Sequence, residues 1–499
     1  MNRLAIAGLY TLIFTAMLDT SVANLALTRI APDLSLDVLQ SSMVMTSFGV
    51  GLVLSFSFTT LLRKSMNDDA CLFWGAVVFM FASLGCGMAG SLESFVVFRF
   101  LQGFGSGVAI IVSQVLMIRM FGDDRRAFAI AIWSSAVSLA PVLGPPLGAY
   151  ISDQFHWRLL FIINVPLTSF TLLALRNTLI PKSGPPVIDA SAATLLVFAG
   201  AVCSLQFSLD FGERLSWFES RTIRLGILAA AVMFSCFLLL NNRPRFSFFE
   251  FSLFQDKKFA IGTAVLAVGN GLIITSIILL PIWLQQSYGL SILAAGVIVS
   301  ISSAIAGVAV PFVGRVLNDR RYYFAIVLSL TAASVSFWLH AELQVGSSLR
   351  IVVIGRLIAG LGIALFTAAL LPWSLSNLPT DKFINANAIS MTLRILSSNV
   401  FLAIGFSLYE RLGVMRIGQT LANAPTDATA VADPLLIAGY SDALRDVAYT
   451  SALSTLFAAC ALLFALGVGV ITILEISSRR ERRAQSNILK PALATRVNQ

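Results

Sequence analysis

Residues 4–27, 40–62, 70–90, 94–118 and 127–152 are each about twenty residues long or more and almost free of charge, and further runs of the same kind follow. A helix needs about 20 apolar residues to cross roughly 30 Å of hydrocarbon. The bilayer interior offers no water to backbone N–H and C=O groups, so a spanning chain must be a helix or a closed barrel. Barrel strands are short and alternate apolar with polar residues, whereas these runs are long and continuous. The pattern therefore predicts an all-α polytopic membrane protein. The remaining expected spans are 158–179, 189–210, 222–241, 259–281, 291–314, 322–340, 349–373, 387–409 and 449–475, which makes about fourteen. Composition agrees: 12% of the 499 residues are charged, about half the share in a soluble domain.

The first run is too long for a signal peptide, lacks a small-residue cleavage site and is followed by more spans, so it reads as a first membrane helix. Cys71, Cys86, Cys203, Cys236 and Cys460 stand in or beside apolar runs without CxxC spacing. They read as small buried hydrophobes, and no metal or cofactor is expected. The net charge of +9 does not point to nucleic acid, because it follows topology. Loops holding Arg63, Lys64, Arg119, Arg125, Arg126, Lys257, Lys258, Arg320, Arg321 and the tail "SSRRERRAQS" outweigh the opposite loops by about two to one in basic residues. Positive loops stay cytoplasmic. Both termini are thus expected inside, in a bacterial inner membrane. Residues 410–448 form the largest external loop expected, and no soluble domain fits anywhere.

Two stretches repeat. "RFLQGFG" (99–105) and "RLIAGLG" (356–362) share Arg-x-x-x-Gly-x-Gly and open the fourth and twelfth spans. In a transporter built from two six-helix repeats the equivalents are the fourth and tenth helices. Two helices are therefore expected as an insert at the periphery. The expected organisation is a bundle over 1–180, an insert over 181–258, a second bundle over 259–478 and a basic tail over 479–499.

Arg99 is the only charge between Phe95 and Ile118. A charge at membrane depth costs several kcal/mol and usually faces a cavity or a partner. Arginine stays ionised, so it cannot carry a proton but can tune a nearby carboxylate. The alternative is that Arg99 snorkels to the interface. Asp19 lies about fifteen residues into the first span. It is either a protonatable carrier or a structural cap near the surface. Asn24 follows and can hydrogen-bond substrate or helix. Gln102 and Gly103 follow Arg99, and glycines there permit close helix approach. Gly144, Pro145 and Gly148 predict a bent, closely packed helix, either sealing a pathway or simply packing. Arg356 and Arg394 are further intramembrane cations, facing a cavity or snorkelling.

Five motifs taken together are specific. They are "MLDTSVANLALTRIAPDL" (17–34), "FRFLQGFGSG" (98–107), "LAPVLGPPLGAYI" (139–151), "WRLLFIINVP" (157–166) and "WLQQSYGLSILAAG" (283–296). On these, nearly the whole chain resembles the major facilitator superfamily, and within it the fourteen-helix drug:proton antiporters of the EmrB/QacA type. Thr28 departs from a usual proline, and Ala140 and Ala149 from two glycines. The resemblance implies two six-helix bundles plus two inserted helices. It also implies proton-coupled efflux of small amphipathic or cationic compounds by alternating access, with proton coupling at Asp19 and Arg99. The implied partners are a small-molecule substrate, protons, the lipid bilayer and a periplasmic adaptor protein. A transporter of a siderophore, lipid or amino acid, or a non-transporting sensor, stays open. An enzyme is not expected: no HExxH or Ser/His grouping appears, and the only histidines are His156 and His340.

One motif of that family is altered. The loop after helix two usually carries an acid that locks the outward-facing state. Here "TTLLRKSMNDDAC" (59–71) puts Arg63 or Lys64 in its place, and "GRVLNDRRYY" (314–323) has Asn318 there, followed by Asp319. A cytoplasmic gate with swapped partners is expected, pairing Arg63 and Lys64 with Asp123 and Asp124.

Overall fold

The computed structural model describes residues 3–122, 125–179, 190–243, 249–316, 321–379, 382–422 and 434–497. Every regular element among them is helical. The first bundle holds α1 (Arg3–Asp33), α2 (Val38–Ser65), α3 (Asp68–Met88), α4 (Leu92–Phe121), α5 (Arg126–Gln154) and the short pair α6 (Leu159–Ile162) and α7 (Asn164–Leu175). Then come α8 (Ala190–Gly212) and α9 (Arg221–Asn241). The second bundle holds α10 (Lys257–Gln286), α11 (Ile292–Val316), α12 (Tyr322–Ala341), α13 (Leu349–Leu365), α14 (Leu371–Leu375), α15 (Phe383–Ala422) and α16 (Pro434–Val497).

Twelve of the described helical stretches are long and apolar enough to cross a membrane. The other two expected spans are α5, which carries Pro141, Pro145 and Pro146, and the 159–175 stretch, which is apolar but shorter.

Local chemistry sets the boundaries. Asp37 accepts from the Gln40 amide at 2.6 Å while the Gln40 side chain accepts from the Asp37 amide at 3.0 Å. This reciprocal cap satisfies two donors that a helix start would otherwise leave unpaired. Asn67 caps α3 and Asp256 caps α10 in the simpler way. Gly122, with φ of +78°, closes α4 in a conformation that favours glycine. Between α13 and α14 a π turn spans Phe366–Leu370 just ahead of Pro372. The wider turn shifts the hydrogen-bond register where proline lacks a donor.

The expected polar loop over 410–448 is corrected at both ends. Residues 410–422 continue α15, and 434–448 belong to α16. Tyr449 donates to Glu410 at 2.8 Å and Arg416 donates to Thr455 at 2.8 Å. Polarity there marks solvent around paired helices, not loss of helix.

In the first bundle α4 packs on α2 and α3, and α1 packs on α5. In the second, α10 packs on α15, and α13 packs on α11 and α12. The bundles meet along two seams, α2 against α15 and α5 against α11. The next two helices, α8 and α9, differ from each other. α9 is the outermost, packing chiefly on α8. α8 lies on both α2 and α15, so it is not wholly peripheral. Asp210 of α8 accepts from Thr46 of α2 at 2.8 Å and from Gln206 at 2.9 Å.

Candidate functional site

Three helices meet at one carboxylate. Asp19 of α1 and Arg99 of α4 form an ion pair at 2.6 Å, with relative exposures of 4% and 1%. Arg99 Nη1 donates to Asp19 Oδ2, and the other carboxylate oxygen accepts from Gln102 Nε2 at 3.1 Å and from Asn164 Nδ2 of α7 at 2.9 Å. Arg99 Nη1 also donates to Gln102 Oε1 at 2.7 Å, and Nε donates to the Val44 carbonyl of α2 at 3.1 Å. Gln102 Nε2 donates to Ser83 of α3 at 2.8 Å. The guanidinium carbon lies 4.4 Å from the centre of the Phe48 ring, an added attraction for a desolvated cation. Arg99 therefore does not snorkel, and Asp19 is no surface cap.

A buried ion pair is tolerated when further hydrogen bonds satisfy its remaining lone pairs and protons. Gln102 does this from both sides, accepting from the cation and donating to the anion. Chemically, the arrangement can exchange one proton. A proton arriving at Asp19 Oδ2 competes with Arg99 for the same oxygen, and neutralising the acid releases the guanidinium.

Glycine makes the geometry reachable. A Cβ on Gly103 would stand 2.0 Å from the Phe48 carbonyl oxygen. Only without that carbon does α4 lie close enough to α2 for Arg99, one turn earlier, to reach Val44. Gly103→Ala is expected to push the two helices apart, lower stability by about 1–3 kcal/mol and weaken transport. A thermal unfolding curve of the purified variant checks this, and an unchanged midpoint would count against the close approach. Gly144 and Gly148 act alike, bringing α5 onto Ser21 and Val22 of α1. Pro145 is buried beside them. Since α5 also packs on α11, the packing and the seam belong to one helix.

Arg356 and Arg394 stand apart from this network, in the second bundle. Arg356 donates from Nη2 to the Val299 carbonyl of α11 at 3.0 Å and to Ser302 Oγ. Arg394 lies on α15 among Asn387, Ser390 and Ser398, spaced so that all share one face. Ser398 accepts from Asn270 of α10 at 2.7 Å, while among the described residues Arg394 Nε, Ser390 Oγ and Asn387 Oδ1 have no hydrogen-bond partner.

At the basic end of the bundle Arg63 pairs with Asp68 at 2.6 Å, and Arg119 of α4 pairs with Asp69. The partners expected for Arg63, Asp123 and Asp124, lie outside the described residues, as does Asp319. The side chains of Lys64 and Asn24 are likewise outside them.

Sequence reasoning missed Ser83, Asn164, Asn270, Asn387, Ser390 and Asp210. The three-and-four spacing of Asn387, Ser390, Arg394 and Ser398 was the one available signal.

The model of the Major Facilitator Superfamily matches residues 9–339. The chain belongs to that superfamily. It is 31% identical over 414 residues to the multidrug export protein EmrB of Escherichia coli strain K12, covering 81% of this chain and 80% of that protein. It is 32% identical over 410 residues to the fatty acid resistance protein FarB of Neisseria gonorrhoeae, covering 80% and 79%. Among solved major facilitator structures, it matches a bacterial homologue of the human lysosomal transporter Spinster in an inward-facing, occupied conformation. There the TM-score is 0.62 at 14% identity, over 94% of this chain and 95% of that one. That likeness shows the fold.

Proposed function

We propose that this protein exports small amphipathic compounds across the bacterial inner membrane in exchange for protons, by alternating access between its two bundles. The observation that carries the reading is the buried Asp19–Arg99 pair, held at a crossing of α1, α2, α4 and α7. The names of the relatives at about 30% identity support export of drug-like compounds. Transport, with no covalent chemistry, is the activity. The bundles are residues 1–180 and 259–478, with the insert over 181–258 and the tail over 479–499. Both termini face the cytoplasm, on the strength of the basic loops. A periplasmic adaptor protein is part of the assembly by the same family likeness.

In the cycle, a proton from outside neutralises Asp19, and Arg99 swings to its remaining acceptors, Gln102 and the Val44 carbonyl. The α1–α4 tie loosens and the bundles rock. Substrate arriving from the cytoplasmic side then favours release of the proton inward. Arg63–Asp68 and Arg119–Asp69 hold the basic end of the first bundle together. The more exposed of the two, Arg63–Asp68, is worth no more than about 1 kcal/mol, but a gate needs only a few kcal/mol of bias between states.

A second reading concerns the substrate's charge. Arg394, a cation with a free Nε on the polar face of α15, favours amphipaths that carry a carboxylate. A growth-inhibition panel in a pump-deficient host tests both readings. Protection against quaternary ammonium dyes supports cationic substrates, and protection against long-chain fatty acids supports anionic ones. No protection against any compound in the panel would overturn efflux.

A further inference from the structure

Arg356 stands 257 positions after Arg99, and the same offset carries three other members of the first-half network onto the second half. Asp19 maps to Ser276, Ser83 to His340 and Gln102 to Ala359. The mapping is spatial as well as sequential. Arg99 donates to the Val44 carbonyl on α2, and Arg356 donates to the Val299 carbonyl on α11, close to but not at the same offset. Ser276, His340, Arg356 and Ala359 all line one cavity of about 20 Å³.

Two of these replacements shorten the side chain, from aspartate to serine and from glutamine to alanine. Space filled by a carboxylate and an amide in the first half is a cavity in the second. The charge changes as well. Arg356 is 2% exposed, and no carboxylate among the described residues pairs with it. Among the described residues its Nε has no hydrogen-bond partner. His340 spends its ring proton on the Ser336 carbonyl, from Nδ1 at 2.6 Å, so Arg356 is the donor that faces the cavity. A buried guanidinium without a counter-ion is costly in hydrocarbon, and the first half shows what meets that cost at this place in the fold.

We propose that the second half binds a monatomic anion of the chloride class in the cavity beside Arg356, where it takes the place that the Asp19 carboxylate holds in the first half. The size of the cavity argues for this class, since about 10–15 Å³ of such volume admits one water-sized particle. A carboxylate-bearing solute does not fit. Water fits but leaves the charge unbalanced.

The test reads binding and not transport, so it stands apart from the efflux reading. Full-length protein in detergent is melted in sodium chloride, bromide or gluconate at one ionic strength. Chloride and bromide are expected to raise the midpoint by a few degrees over gluconate, saturating with concentration as a single site does. Ser276→Asp supplies the missing carboxylate and is expected to abolish that response. Equal midpoints for the wild type in chloride and gluconate would overturn the proposal, as would a Ser276→Asp variant that still responds fully. If the variant is not recovered, crystals of the wild type soaked in bromide decide the question. An anomalous peak beside Arg356 supports the site, and a cavity without one overturns it.

Discussion

Asp19→Asn is expected to abolish drug accumulation driven by a pH gradient in everted membrane vesicles. Asparagine has nearly the volume of aspartate, so the helices still meet. It cannot take up and release a proton, and it removes the counter-charge of Arg99. Its amide also meets three donors with a single acceptor oxygen, since Arg99, Gln102 and Asn164 all point at this position. One donor–donor contact is unavoidable whichever way the amide turns. The uncompensated guanidinium costs about 3–5 kcal/mol, so a lower melting midpoint should accompany the lost activity. Asp19→Glu keeps the charge and should retain part of both. The measurement is substrate-induced proton release from vesicles matched for protein content. Uphill accumulation by the asparagine variant would remove Asp19 from the coupling role.

The second large effect is at Arg99. Arg99→Ala leaves the Asp19 carboxylate buried without its cation and opens space beside Phe48. Transport should stop, with stability lost on the same scale of about 3–5 kcal/mol. Arg99→Lys should recover only part, because one ammonium cannot reproduce the planar fork that reaches Asp19, Gln102 and the Val44 carbonyl together. The informative variant is the double one. Asp19→Asn combined with Arg99→Gln leaves no lone charge in the site. It is expected to melt above either single substitution and yet remain inactive. Such coupling between touching residues separates a charge pair from two independent packing positions. If the two single effects on the melting midpoint simply add, the pair is not acting as one unit.

Much of this site was legible in the sequence. Asp19 and Arg99 stood out because each is a lone charge in an apolar run, and the bilayer makes such a residue expensive. The glycines were legible because three of them follow one arginine. Ser83 and Asn164 were not, since serine and asparagine are common in helices and carry no charge to draw attention. What recruits them is a crossing of α1, α3, α4 and α7 that brings together residues as many as 145 positions apart. Hydropathy also misjudged two stretches for one reason. It reports what surrounds a helix and not whether a helix is present. Residues 410–422 and 434–448 read as loop because water surrounds them, and Asp210 read as the edge of a span although it reaches Thr46. At the basic end, Arg63 pairs with an acid five positions away, and the acids expected for it lie outside the described residues.

The seating of α8 has a mechanical consequence. Its tie to α2 is directional, a hydrogen bond between Asp210 and Thr46. Towards α15 it shares an apolar cluster, in which Phe198 and Val202 join Ala386 and Ile389. Apolar contact has no preferred direction, so it slides where a hydrogen bond would have to break. Rocking would therefore carry α8 with the first bundle, as a shutter fixed along one edge and greased along the other. It screens the α2–α15 seam from the acyl chains. Among the described residues no helix shutters the opposite seam, and Leu139, Leu143, Leu147 and Tyr150 form an exposed stripe along its helix α5. A solute dissolved in the bilayer thus meets a transporter with one shuttered flank and one open flank, which twelve helices arranged with two-fold symmetry would not present.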